Sequence, residues 1–150
     1  MSISEYCNRE VVVIGRDESV VEAAKLMREQ HVGSVIVVKH VNHEVLPIGI
    51  LTDRDIVVEL VAKEADPAQL KVADVMAAEL LMAEESEEVM EVLQRMRLKG
   101  VRRIPVVDVQ GSLVGIFSMD DMLELIAEQL HEVVGVFRKE VTREERGRTV

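Results

Sequence analysis

The sequence predicts an α+β (α/β) fold of two pseudo-twofold related βαββα units packed through their sheets. Three observations carry this. First, Gly49-Ile-Leu-Thr-Asp-Arg-Asp55 recurs as Gly115-Ile-Phe-Ser-Met-Asp-Asp121. Second, Val20 with Val89, Met27 with Met96 and Val32 with Val101 all stand 69 positions apart, while Gly49 with Gly115 and Asp55 with Asp121 stand 66 apart, so one loop of the first copy is three residues longer. Third, β-branched runs alternate with stripes at helical spacing: Val20, Ala23, Ala24 and Met27, then Val89, Val92, Leu93 and Met96. Two copies are too few for a solenoid. Each spans roughly 55 to 60 residues, near the lower limit for folding alone, so each is expected to bury its sheet against the other. Clefts then fall along the pseudo-twofold interface, where the strand-to-helix corners converge.

Residues 1–9 carry little pattern. Val11 to Ile14 reads as a strand and Gly15-Arg16-Asp17 as a turn. Ser19 and Glu22 have the spacing of a capping box, opening a helix that stops near Gln30 or His31. Val35 to Val38 is apolar throughout, as a strand covered on both faces is. Lys39 to Leu46 reads as a polar connection, and Pro47 to Leu51 as the next strand, with Pro47 at its start where a missing N–H is tolerated. A helix is expected from about Asp53 to Lys63, then linker chemistry from Glu64 to Pro67 and a short helical turn over Val72 to Met76. Gln110-Gly111 supplies the hairpin turn of the second copy. The expected organisation is a first repeat at 1–70, a second at 71–131 and a charged tail at 132–150. The tail holds five basic and four acidic residues. Its Val133 to Phe137 run is suited to packing on the body or on a second subunit. Beyond Arg138 a solvated helix or a disordered end is expected.

A net charge of −10 over 150 residues argues against a nucleic-acid surface, which needs a basic stripe. Cys7 is the single cysteine, so no intrachain disulfide forms and nothing implies secretion. The first residues lack a basic and then apolar leader, and no apolar run approaches about 18 residues. A cytoplasmic protein is therefore expected. Aromatic residues make up only 2% of the chain, so a base pocket has to use aliphatic walls and backbone groups. No nucleophile–base pair, metal cluster or phosphate-binding glycine loop is evident, and an enzyme is not expected.

The repeated corner places a hydroxyl and an Asp where a strand hands over to a helix, beside free backbone N–H groups. Such a corner can hold a phosphate, and its Asp can accept two hydrogen bonds from a ribose diol. Ser, Thr and Asp also cap helices whatever the function, and the two roles are compatible. His40, His43 and Glu44 stand close in sequence but lack the further ligands of a metal site. His31 and His131 read as helix-end residues, and Cys7 as inert.

Two copies of strand, strand, Gly-apolar-apolar-[Ser/Thr]-x-x-Asp, helix, with Arg103-Ile-Pro-Val-Val107 in the second copy, resemble a tandem pair of CBS domains, the Bateman module. The resemblance covers about Val11 to Leu130. It implies a free-standing regulatory module that binds an adenosyl ligand (AMP, ADP, ATP, NAD or S-adenosylmethionine), senses energy state and signals to a partner protein, with no required cofactor. It also implies pairing into homodimers. Carried over by position, Asp55 and Asp121 are the ribose ligands, Thr52 and Ser118 the phosphate ligands, and Arg54 and Arg103 candidate phosphate cations. Val13, Ile14, Val35, Leu81, Met82, Ile104 and Pro105 are candidate adenine walls. Asp120 stands where the first repeat has Arg54, so unequal occupancy of the two sites is expected. The alternative is a dimeric interaction scaffold with vestigial pockets.

Overall fold

A computed structural model describes residues 1–77 and 79–148. These divide into two compact units, Met1–Phe117 and Ser118–Val150. In the first unit, a sheet of β1 (Val13–Gly15), β2 (Ser34–Val41) and β3 (Glu44–Thr52) has that order, with β1 parallel to β2 and β3 antiparallel to it. Helix α1 (Val20–Gln30) connects β1 to β2, and α2 (Asp53–Ile56) follows β3 and widens into a π turn over Val57–Val61. After the short helix α3 (Val72–Val75), the pattern repeats as β4 (Ala83–Glu84), α4 (Val89–Lys99), β5 (Arg103–Val107) and β6 (Leu113–Ser118). These strands form the second sheet, in the order β4-β5-β6. Helix α5 (Met119–Gly147) accounts for most of the second unit.

The expected helix stripe is buried at three of its four positions in α1, Ala24 being exposed, and likewise in α4, where Leu93 is half-buried. Val20, Ala23 and Met27 are at most 6% exposed, and Ala23 and Met27 join Ile14, Val35, Val37, Leu51 and Val72 in the first core. Ser19 caps α1 through a 3.1 Å bond from the Glu22 amide. The Glu22 side chain does not complete the box; it pairs instead with Lys25. His31, at φ 54°, closes α1 in the left-handed region, and Gly100, at φ 68°, closes α4 in the same way.

Three local readings are corrected. Lys39 to Leu46 is not a polar connection: β2 and β3 pair through to Val41 and Glu44, and the turn is only Asn42-His43. Both turn residues have positive φ, as a two-residue hairpin of the strands' own twist requires. Pro47 lies inside β3 rather than at its start. The register shifts between Val37 and Val38, and that irregularity accommodates a residue without an N–H. The opening nine residues are not patternless, because Ile3 is fully buried in a short 3-10 turn.

That buried Ile3 reports an exchange between the repeats. The Ile3 amide donates to Glu87 O, and the Val72 amide donates to Glu18 O, both at 2.8 Å. Likewise Ser4 donates to Glu85 O where Ala73 donates to Arg16 O. Each pair of equivalents is 69 residues apart. The segment leading each repeat therefore packs on the other repeat, giving the pseudo-twofold relation a covalently crossed form.

The same segments run on to the β3 and β6 strands. Ala77 pairs with Ile50, and Asn8 with Ile116. A side chain on Gly49 would meet Ala77 O at 3.0 Å, and one on Gly115 would meet Asn8 O at 3.0 Å. The glycine that opens each repeated motif is thus demanded by a crossing backbone.

Candidate functional site

Thr52 ends β3 and caps α2. Its amide donates to Asp55 Oδ2 at 2.9 Å, and the Asp55 amide returns a bond to Thr52 Oγ1 at 3.1 Å. This reciprocal cap fixes both side chains at the corner. Asp55 Oδ1 takes no hydrogen bond among the described residues. Because Thr52 Oγ1 accepts in the cap, its hydroxyl proton is free to donate elsewhere.

This corner opens on a cavity of about 380 Å³ within the first unit, lined by Thr52, Asp53, Arg54 and Asp55 of one repeat and Gly100 to Arg103 of the other. Gly33, Ser34, Ile50 and Ala77 complete the wall. Four residues singled out from the sequence, Thr52, Arg54, Asp55 and Arg103, are therefore brought together. The lining holds three guanidinium groups, Arg54, Arg102 and Arg103, against two carboxylates, Asp53 and Asp55. The volume falls within the usual range for small-molecule sites, roughly 300–1,000 Å³.

The remaining singled-out residues lie elsewhere. Val13 and Ile14 border a separate groove along α1 with Glu18, Glu22 and Lys25. Met82 borders another with Glu84, Glu87 and Val107. Val35 and Ile104 are each 1% exposed, and Pro105 is also buried. Leu81 is half-buried and lines none of these hollows.

In the second unit, Ser118 and Asp121 repeat the cap at the start of α5. The Ser118 amide donates to Asp121 Oδ2 at 3.1 Å, and the Asp121 amide to Ser118 Oγ at 3.2 Å. One bond differs: Ser118 Oγ also lies 2.6 Å from Asp121 Oδ2. A carboxylate has no proton to give, so the serine donates. Its proton is spent inside the cap, unlike that of Thr52.

The residues overlooked from sequence are those at the helix-to-strand turns, Gly33 with Ser34 and Gly100 with Val101. The 69-residue offset makes His31 and Gly100, the left-handed helix ends, equivalents, but it gives no sign that these turns line a cavity. A side chain on Gly33 would meet Asp53 Oδ2 at 3.2 Å, so this wall is closely fitted.

Fold and cavity together define a duplicated α/β module with a hollow between its copies. The family model for the CBS domain matches residues 3–62 and 72–128, and the chain belongs to the CBS-domain family as a tandem pair, the Bateman module. The uncharacterized protein MK0525 of Methanopyrus kandleri is 35% identical over 144 residues, covering 94% of this chain and 72% of that one. Among solved structures, the hexameric CBS-CP12 protein from bloom-forming cyanobacteria matches with a TM-score of 0.72 at 30% identity, over 82% of this chain and 69% of that one. The CBS domain pair of protein MJ0100, solved with 5'-methylthioadenosine and S-adenosyl-L-methionine, has a TM-score of 0.74 at 22% identity, over 86% and 98% of the two chains. CBS-domain proteins are typically non-catalytic regulatory modules. Among the described residues no group of three or more His, Cys, Asp or Glu side chains is placed to hold a metal ion. No helix there is long and apolar enough to cross a membrane.

Proposed function

We propose that the chain is a cytoplasmic regulatory module that holds an adenosyl ligand in the cavity between its repeats and signals occupancy to a partner protein. The ligand class is AMP, ADP, ATP, NAD or S-adenosylmethionine. Asp55 receives the ribose diol, and the Thr52 hydroxyl with Arg54 and Arg103 receives the phosphates or another anionic group. The observation that carries this reading is the convergence of Thr52, Arg54, Asp55 and Arg103, drawn from two repeats, on one hollow of about 380 Å³. The MJ0100 pair, which shares the fold, is solved with two adenosyl compounds, and this supports the ligand class. The Ser118 proton is already committed to Asp121, and Asp120 replaces the cation found at Arg54, so the first-repeat site is the stronger of the two. The module works as a homodimer. Exposed Val57, Val58 and Val61 on the turn after α2 offer apolar surface for pairing.

Calorimetric titration against the five adenosyl compounds tests this reading. Expected is one dominant site per chain for at least one compound, with a melting temperature that rises with its concentration. No heat and no shift at millimolar ligand overturns it.

The alternative is a scaffold whose pockets stay vacant. It is favoured by one observation: both Asp55 and Asp121 already have complete capping roles. In that case Asp55→Ala and Asp121→Ala leave partner binding untouched.

A further inference from the structure

Helix α5 carries an apolar stripe that is largely exposed among the described residues. Leu123, Ala127, Leu130, Val134, Phe137 and Val141 recur at alternating spacings of four and three, which places them along one seam of a helix that pairs by supercoiling. Leu123, Leu130, Phe137 and Val141 are each between 56% and 63% exposed. The seam extends about 27 Å at 1.5 Å per residue, and its second half lies past residue 128, where the CBS-domain match ends.

Charge says what covers it. The first half of α5 carries Asp120, Asp121, Glu124, Glu128 and Glu132 with no Lys or Arg. The second half carries Arg138, Lys139, Arg143 and Arg146 and is basic in balance despite three Glu residues. A helix acidic at one end and basic at the other complements a copy of itself running the opposite way. We propose that α5 pairs antiparallel with α5 of a second copy of this chain.

The register follows from the spacing. Leu123 layers on the partner's Val141, Ala127 on the partner's Phe137, and Leu130 on the partner's Val134. Glu124 then flanks the partner's Arg138, twice per dimer by symmetry. A parallel pairing would instead set Glu140 beside the partner's Glu145 and leave Arg138 beside the partner's Val133. The proposal deepens the homodimer reading and rests on it, not on the ligand.

The test is sedimentation equilibrium of the full chain and of charge variants. Expected is a dimer whose dissociation constant rises about tenfold in Glu124→Lys, rises similarly in Arg138→Glu, and returns to near the original in the double variant. High salt should narrow these differences. Direction is read separately, on a Cys7→Ser background, with a short bis-maleimide. Co-expressed Leu123→Cys and Val141→Cys chains should crosslink to each other, and neither variant expressed alone should crosslink to itself. Self-crosslinking of Leu123→Cys overturns the antiparallel pairing, as does a dimer that ignores both charge reversals. A monomer at every concentration removes the homodimer reading as well, and calorimetry with nucleotides is unaffected by that outcome.

Discussion

Asp55 Oδ2 accepts the Thr52 amide at 2.9 Å while its Oδ1 faces no hydrogen-bond donor among the described residues. One carboxylate therefore does structural work with one oxygen and has the other available for a ligand. The two roles separate by substitution. Asp55→Asn keeps a carbonyl oxygen for the cap, so unfolding in urea should change by less than about 0.5 kcal/mol. Its affinity for an adenosyl ligand should fall about tenfold, because a charged acceptor is lost from the ribose diol. Asp55→Ala should lose the affinity and also about 1 kcal/mol of stability. Unchanged affinity in Asp55→Asn would show that the residue is a cap alone.

The arginines make a different demand on the ligand. Arg54 and Arg103 enter the cavity from different repeats, and a guanidinium discriminates by charge. Arg103→Gln should weaken AMP about tenfold and leave adenosine nearly untouched, since only AMP offers an anionic oxygen. Titration calorimetry with the two compounds reads the difference directly. Equal losses for both would place Arg103 on the base or sugar instead.

Much of this was legible in the chain because it is written twice. The constant offset showed which strands and helices correspond, and of the stripe Val20, Ala23, Ala24 and Met27 all but Ala24 are buried. At the corner, Thr52 and Asp55 were identified by type and spacing, and they do share a cavity with Arg54 and Arg103. What spacing could not supply was the contribution of backbone. Gly33 and Gly100 line the cavity through their turns, and a position without a side chain leaves no chemical signature. The hairpin was misjudged for a similar reason: Asn42-His43 turns without a glycine, and polar side chains on exposed strands look like loop.

The opening segment was the largest miss, and it yields a prediction. Ile3 stands alone among polar neighbours, so no periodicity marks it, yet it is fully buried, as is its equivalent Val72. Both donate their amides to carbonyls of the opposite repeat. Ile3→Ala should therefore cost about 2–4 kcal/mol in chemical denaturation, as a core truncation does. A cost below about 1 kcal/mol would mean the segment is not part of the folded body in solution.

The crossing of Asn8 over Gly115 makes the last case. A Cβ at Gly115 would lie 2.7 Å from Cys7 Sγ and 3.0 Å from Asn8 O, both under or at the limit real side chains tolerate. Asn8 cannot simply retreat. Its carbonyl accepts the Ile116 amide at 2.9 Å and its amide donates to Ile116 O at 2.8 Å, so moving away breaks both. Gly49 has the same arrangement, but its nearest neighbour is Met76 Sδ at 2.8 Å, the end of a flexible side chain. Both Gly→Ala variants should destabilise, by about 1–3 kcal/mol, with Gly115→Ala the costlier because the short Cys7 side chain has fewer ways to yield. Adding Cys7→Ala to Gly115→Ala should recover only part of the loss, since the Asn8 carbonyl remains. Full recovery would assign the whole clash to the thiol. No loss in Gly115→Ala, measured by urea unfolding, would show that the exchanged segment does not run this close to β6.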